Sequence, residues 1–167
     1  MIISIISFGY IQTLKKPLEE IIIPQQPSLN ILVREFLESK DSPLAPDVDF
    51  LLEQKHWKLL IAISHIESQF CKRKISFNCW GIGGDTAYRH YSSYTEAIKD
   101  SNDLIERWQL RGRWLTIDDM NCHYVVPCNP NWVKVVNSTL KELDAIIAIS
   151  NGTIISDDKI QDSKLGN

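Results

Sequence analysis

Apolar residues recur at helical spacing through most of the chain. Leu29, Leu32, Val33, Phe36 and Leu37 fall on one face, which predicts a helix over 29–39. Ser42-Pro-Leu-Ala-Pro46 then breaks the chain, because proline lacks the amide donor a helix needs. From Val48 to Phe70 the apolar positions Leu52, Leu59, Ile63, Ile66 and Phe70 predict one long amphipathic helix. Asn78 to Asp85 is rich in glycine and suits a tight loop or a small hairpin. Ser93-Tyr-Thr-Glu96 has capping-box spacing and opens a helix carrying Tyr94, Ala97, Ile98, Ile105 and Trp108, which Gly112 ends. Thr116-Ile-Asp-Asp119 looks like the start of a shorter helix. Asn129-Pro130 supplies a cap and a first-turn proline for a last helix, with Trp132, Val133, Val136, Leu140, Leu143 and Ile147 on one stripe.

These elements divide the chain into three parts. Residues 1–28 hold an apolar run and a linker with Pro17, Pro24 and Pro27; residues 29–150 form the folded domain; residues 151–167 are a polar, flexible tail. The fold class is α+β and mainly α, with the glycine-rich loop or hairpin in the middle. The run Ile2 to Ile11 is about half the roughly 20 residues a bilayer-spanning helix needs. It has neither a basic lead nor a small-residue cleavage site. Two readings stay open for it: the remnant of a membrane anchor, giving membrane association, or a short terminal strand or helix.

Composition changes the picture in two places. With 18 Lys+Arg against 21 Asp+Glu, the net charge of -3 offers no basic excess to neutralise phosphate, so a nucleic-acid partner is not expected. The four cysteines fall in two close pairs, Cys71 with Cys79 and Cys122 with Cys128 in sequence order. An even count so arranged reads as two disulfides, hence an oxidising compartment outside the cytoplasm. Four cysteines allow three pairings, and four buried thiols are the alternative. A zinc site using Cys122, His123 and Cys128 is a third reading, although zinc ligands usually sit closer together.

The chemistry concentrates in Ala62-Ile-Ser-His-Ile-Glu-Ser68 and the following Asn78-Cys-Trp-Gly-Ile82. Glu67 stands in the last turn of an apolar helix, on the side of Leu60, Ile63 and Cys71. Partial desolvation there would raise its pKa, as a general acid for a glycosidic oxygen requires. The alternative is a boundary carboxylate paired with Lys72, Arg73 or Lys74. His56, His65 and His90 show no partner pattern and read as structural or exposed.

Taken in order, these blocks resemble the lysozyme-like superfamily, specifically the lytic transglycosylase and bacterial N-acetylglucosaminidase group. Phe36-Leu-Glu-Ser-Lys-Asp-Ser-Pro-Leu-Ala-Pro46 looks like the lead helix and turn before such domains. The helix ending in Glu67-Ser68 looks like the catalytic helix, and Asn78-Cys-Trp80-Gly resembles the Asn-x-aromatic-Gly block after it. Tyr91-Ser-Ser-Tyr-Thr-Glu-Ala-Ile98, Tyr124 and the Trp132-led helix resemble the later blocks, so the likeness spans about residues 36–145. The Gly-Leu-Met-Gln motif of many transglycosylases is absent, and Gly81-Ile-Gly-Gly84 stands in its place.

The resemblance implies a lysozyme-like helical domain whose glycine-rich loop forms one wall of a cleft. It implies cleavage of peptidoglycan, or a related amino-sugar polymer, between N-acetylmuramic acid and N-acetylglucosamine. Glu67 would be the catalytic acid and Tyr124 would assist near the scissile sugar. Ser68 would support the helix end and the cleft, Asn78 and Trp80 would shape the loop facing the substrate, and Tyr91 reads as structural or as lining the cleft, while Trp132 reads as core packing. A hydrolase usually needs two carboxylates; Asp85, or Asp118 and Asp119, are the candidates, without strong spacing support. That favours a transglycosylase using one glutamate. The alternatives are a hydrolytic glucosaminidase or muramidase, and a non-catalytic glycan-binding or phage structural module. No cofactor or metal is implied, and a monomer is expected. A Cys71–Cys79 bond would tie the helix of Glu67 to the facing loop, and Cys122–Cys128 would clasp the turn bearing Tyr124.

Overall fold

The computed structural model describes residues 26–83 and 87–153. The apolar run Ile2–Ile11 with its proposed membrane association, the linker as far as residue 25, Asp85, and the tail from residue 154 lie outside the described residues. The chain is mainly helical. In order it forms α1 (Leu29–Ser39), a 3-10 turn (Ala45–Asp47) that runs into α2 (Val48–Leu52), α3 (Trp57–Ser68), α4 (Tyr94–Leu110), α5 (Ile117–Tyr124) and α6 (Pro130–Ser150). None of these helices is long and apolar enough to cross a membrane.

α3 is the central element. Leu60 to Ser64 are buried without interruption, as expected of a helix covered on all sides. It packs most extensively on α6 and also on α4, while α1 and α5 pack on α6. Leu37, Leu51, Ile61, Ile98, Met120 and Leu143 bring every helix into one core. Burying side chains of this size contributes about 1.5–3 kcal/mol each.

One sequence expectation needs correction, in two respects. The long helix over 48–70 is two helices, α2 and α3, separated by Glu53–His56. No glycine or proline marks the break. The backbone N–H of His56 is instead taken by the side chain of Asn102 on α4, at 3.1 Å, a tertiary partner that local periodicity does not show. The helix also stops at Ser68 rather than Phe70, because Gln69, Phe70 and Cys71 all take positive φ. Of the two forms expected for the glycine-rich segment, a loop or a hairpin, the described residues show the loop. Among the described residues it contains only the isolated bridges Ile75 with Asn78 and Gly83 with Tyr88.

The caps follow the sequence closely. Thr116 and Asp119 form a full capping box. At α4 the Ser93 hydroxyl accepts from the Glu96 N–H, but the Glu96 carboxylate reaches back to Ser92 rather than to Ser93. Asn129 accepts from the Asn131 N–H, with Pro130 in the first turn of α6.

Cys71 is bonded to Cys79, and Cys122 to Cys128. Both thiolates that a zinc site at 122–128 would need are thereby used, and the His123 ring contacts the Asp119 carbonyl. Two disulfides suit an oxidising environment outside the cytoplasm. Their settings differ: Cys71 and Cys79 have no exposed surface, whereas Cys122 and Cys128 are exposed. Mild reduction with alkylation and peptide mass spectrometry should therefore label Cys122 and Cys128 first, leaving Cys71 and Cys79 protected until the core opens. Replacing both Cys71 and Cys79 by serine should cost about 2–3 kcal/mol, the chain-entropy value for so short a loop. Equal labelling of all four cysteines in the folded protein would contradict this order.

Candidate active site

Glu67 is placed by the way α3 ends. After Ser68 the chain enters three consecutive left-handed residues, a conformation that costs non-glycine residues about 1–2 kcal/mol each. The turn is held from several sides. The Ser68 hydroxyl accepts from the Cys71 N–H at 3.0 Å, and its one proton lies between the Cys79 carbonyl at 2.6 Å and the Ser64 carbonyl at 3.0 Å. The Phe70 N–H donates to the Ser64 carbonyl at 2.9 Å. The Ser42 hydroxyl, from the Ser-Pro-Leu-Ala turn, donates to the Phe70 carbonyl at 2.9 Å. The Cys71–Cys79 disulfide then fixes the returning loop to this turn.

The loop itself is organised by Asn78. Its amide donates to the carbonyls of Ile82 (2.7 Å) and Arg89 (3.0 Å) and accepts from the Ile82 N–H (3.0 Å). Tyr91 donates its hydroxyl to Asp100 at 2.7 Å, and Arg89 pairs with the same carboxylate. Burial works against the Asp100 charge, but these two partners hold its pKa below the usual range. Trp80 is 1% exposed and donates its indole N–H to the Leu60 carbonyl at 2.8 Å. Ser68, Asn78, Trp80 and Tyr91 are thus all spent on internal bonds that shape the loop, and of these four only Asn78 also lines the cleft.

That cleft holds about 150 Å³ and is lined by Glu67, Arg73, Ile75, Asn78, Gly81 and Tyr88. Glu67 lies at its inner side. One carboxyl oxygen accepts from the indole N–H of Trp132 at 2.7 Å. The other faces Gly81, where an added Cβ would sit 3.1 Å away. Gly81 also has a φ of +62°, so both its conformation and its proximity require glycine. Burial raises the Glu67 pKa above the ordinary glutamate value, and the Trp132 donor offsets only part of this.

The ion pair that would have made Glu67 a structural carboxylate does not form among the described residues. Lys72 lies 3.9 Å from Asp41, and Lys74 lies over the Tyr94 ring at 5.3 Å. Arg73 sits on the cleft wall without pairing to Glu67. Tyr124 donates its hydroxyl to the Trp80 carbonyl, immediately before Gly81. Burial raises its pKa far above the usual phenol value, and the nearby Glu67 charge adds to this. A neutral Tyr124 therefore holds the 80–81 segment against Glu67. Asp119 is used by the α5 cap, and neither it nor Asp118 lines the cleft.

Sequence reasoning missed the part played by Trp132. Its 1% exposure fits the expected core packing, but a buried indole N–H needs an acceptor, and that acceptor is Glu67. Tyr88 and Ile75 were missed because nothing local marks them; they are 55% and 53% exposed and face the cleft.

The raised pKa of Glu67 has a sign that can be tested. Its folded pKa exceeds its unfolded value, so the native state loses stability as pH rises between the two and stays lower above both. Glu67→Gln should then raise Tm at pH 8, by roughly 2–4 °C for each kcal/mol relieved, and give no gain at pH 3. Trp132→Phe removes the indole donor to Glu67 and should move the Glu67 titration to higher pH, as read by carboxyl NMR. An unchanged or lower midpoint in Trp132→Phe would contradict the site as described.

Comparison of the chain with protein-family models, with curated proteins and with solved structures found no match.

Proposed function

We propose that the protein cleaves the glycan strands of peptidoglycan between N-acetylmuramic acid and N-acetylglucosamine, as a lytic transglycosylase with Glu67 as its single acid and base. The observation that supports this reading most strongly is the state of Glu67. It is a carboxyl with raised pKa, in no ion pair among the described residues, on the wall of an open cleft. Glycosidic oxygens leave poorly unless protonated, and a carboxyl that keeps its proton to higher pH than usual is suited to that task. The lysozyme-like arrangement, a helix ending in the acid and a loop folded back over it, belongs to the same proposal.

In this reading Glu67 donates its proton to the bridging oxygen as the bond to the anomeric carbon breaks. The resulting carboxylate then takes the proton of the sugar's own 6-hydroxyl. That oxygen attacks the anomeric carbon and closes a 1,6-anhydro ring. No water is consumed, and Glu67 ends protonated as it began. Trp132 stabilises the carboxylate between the two transfers. Tyr124, engaged by the Trp80 carbonyl, has a positioning part rather than a proton to give. Work on a cell-wall polymer agrees with an oxidising location for the two disulfides.

Digestion of purified peptidoglycan followed by mass spectrometry tests the reaction. The expected products end in anhydro sugars, one water lighter than reducing ends. Glu67→Gln should lower the rate by about 10²–10⁴-fold, the usual share of a general acid. Reducing ends would identify a hydrolase of the same substrate. Equal digestion by Glu67→Gln would remove Glu67 from the chemistry. Binding of glycan without any digestion would mark a non-catalytic module.

A further inference from the structure

The turn between α4 and α5 presents a surface unlike the rest of the described residues. Residues 110–115 read Leu-Arg-Gly-Arg-Trp-Leu. Gly112 and Trp114 take positive φ, +71° and +57°, which reverses the chain within a few residues. Trp114 alone turns inward; it is 6% exposed and packs on Trp108 and Tyr124, with ring centroids 5.4 and 5.7 Å apart. Its neighbours face solvent. Leu110 is 80% exposed and Leu115 is 64% exposed. Val126, two residues beyond Tyr124, is 85% exposed. These are the three most exposed large apolar side chains among the described residues.

Cations are interleaved with them. The guanidinium groups of Arg111 and Arg113 lie over the Trp108 ring, at 5.7 and 5.1 Å from its centre. Arg107, one turn earlier on α4, is exposed as well. None of the three arginines is in an ion pair among the described residues. The dipole at the end of α4 accounts for cations at Arg107 and Arg111. It does not account for Arg113, which lies beyond the helix, nor for leucines exposed on both sides of the pair.

We propose that this loop is a docking surface for an anionic phospholipid bilayer. Arginines meeting lipid phosphates while flanking aliphatic side chains enter the headgroup boundary is the chemistry of an interfacial anchor. The chain as a whole carries a net charge of -3, so general attraction to an anionic surface is absent and the local patch must supply it. A soluble polyanion would use the arginines and leave the leucines without a role. Stacking on Trp108 holds two of the cations in place before contact, which lowers the ordering cost of binding.

The test uses the full chain in co-sedimentation with vesicles of phosphatidylcholine alone or mixed with phosphatidylglycerol. The wild type should bind the anionic vesicles and bind the neutral ones weakly. The double variant Arg111→Ser/Arg113→Ser should lose about fivefold per arginine, roughly 25-fold together. Leu110→Ser/Leu115→Ser should lose roughly tenfold or more. All four side chains are exposed, so circular dichroism should show both variants folded. Absence of binding to anionic vesicles would overturn the proposal. Binding unchanged in both variants would do so too, by placing the contact elsewhere, as on the apolar run Ile2–Ile11. Leucine variants that bind like the wild type, with heparin displacing the protein, would assign the patch to a soluble polyanion instead.

Discussion

The carboxyl group of Glu67 is held between the backbone of Gly81 and the indole N–H of Trp132. The rest of the site exists to maintain that enclosure. Gly81 can approach because it has no side chain, and it stays there because the loop carrying it is tied down at three points. Cys79 is bonded to Cys71, the Cys79 carbonyl accepts from Ser68, and the Trp80 carbonyl accepts from Tyr124. Trp132 is delivered by the first turn of α6, the helix that packs most extensively on α3. The same interface that builds the core thus also aims the indole donor at the carboxyl.

This enclosure has an energetic cost that the surrounding structure absorbs. Three left-handed residues follow α3, and a carboxylate is partly removed from water beside them. Neither would persist in a loosely held loop. Ser68 and Ser42 answer the orphaned backbone groups of the turn, and both serines are buried. Strain and a perturbed carboxyl at one place are characteristic of a working site, because both reduce stability without helping the fold.

Much of this was legible in the sequence, for identifiable reasons. Helix positions followed from apolar spacing at Val33, Leu37, Ile98, Ile105, Val136 and Leu143, and the caps at Ser93, Thr116 and Asn129 from local hydrogen-bond chemistry. Glu67 stood out through the order of the Glu67-Ser68 and Asn78-Cys-Trp-Gly blocks and their resemblance; a carboxylate on an apolar helix alone equally suits a boundary ion pair. The break between α2 and α3 was not legible, since it depends on Asn102, distant in sequence from His56. Nor was the Trp132–Glu67 bond, 65 residues apart in the chain. Asn78 was read as facing the substrate from the resemblance of its block, and Tyr91 as structural or lining the cleft. Folded, they satisfy loop carbonyls and Asp100, which only the completed turn brings within reach.

The proposed acid catalysis requires a Glu67 carboxyl that keeps its proton to higher pH than an ordinary glutamate. Titration of its side-chain carbon by NMR in the wild-type protein, with the resonance identified by its loss in Glu67→Gln, measures this directly. The midpoint should lie above the ordinary value of 4.5. A midpoint at or below that value would mean that Glu67 is a solvated or paired carboxylate, and the case for it as the acid would fall.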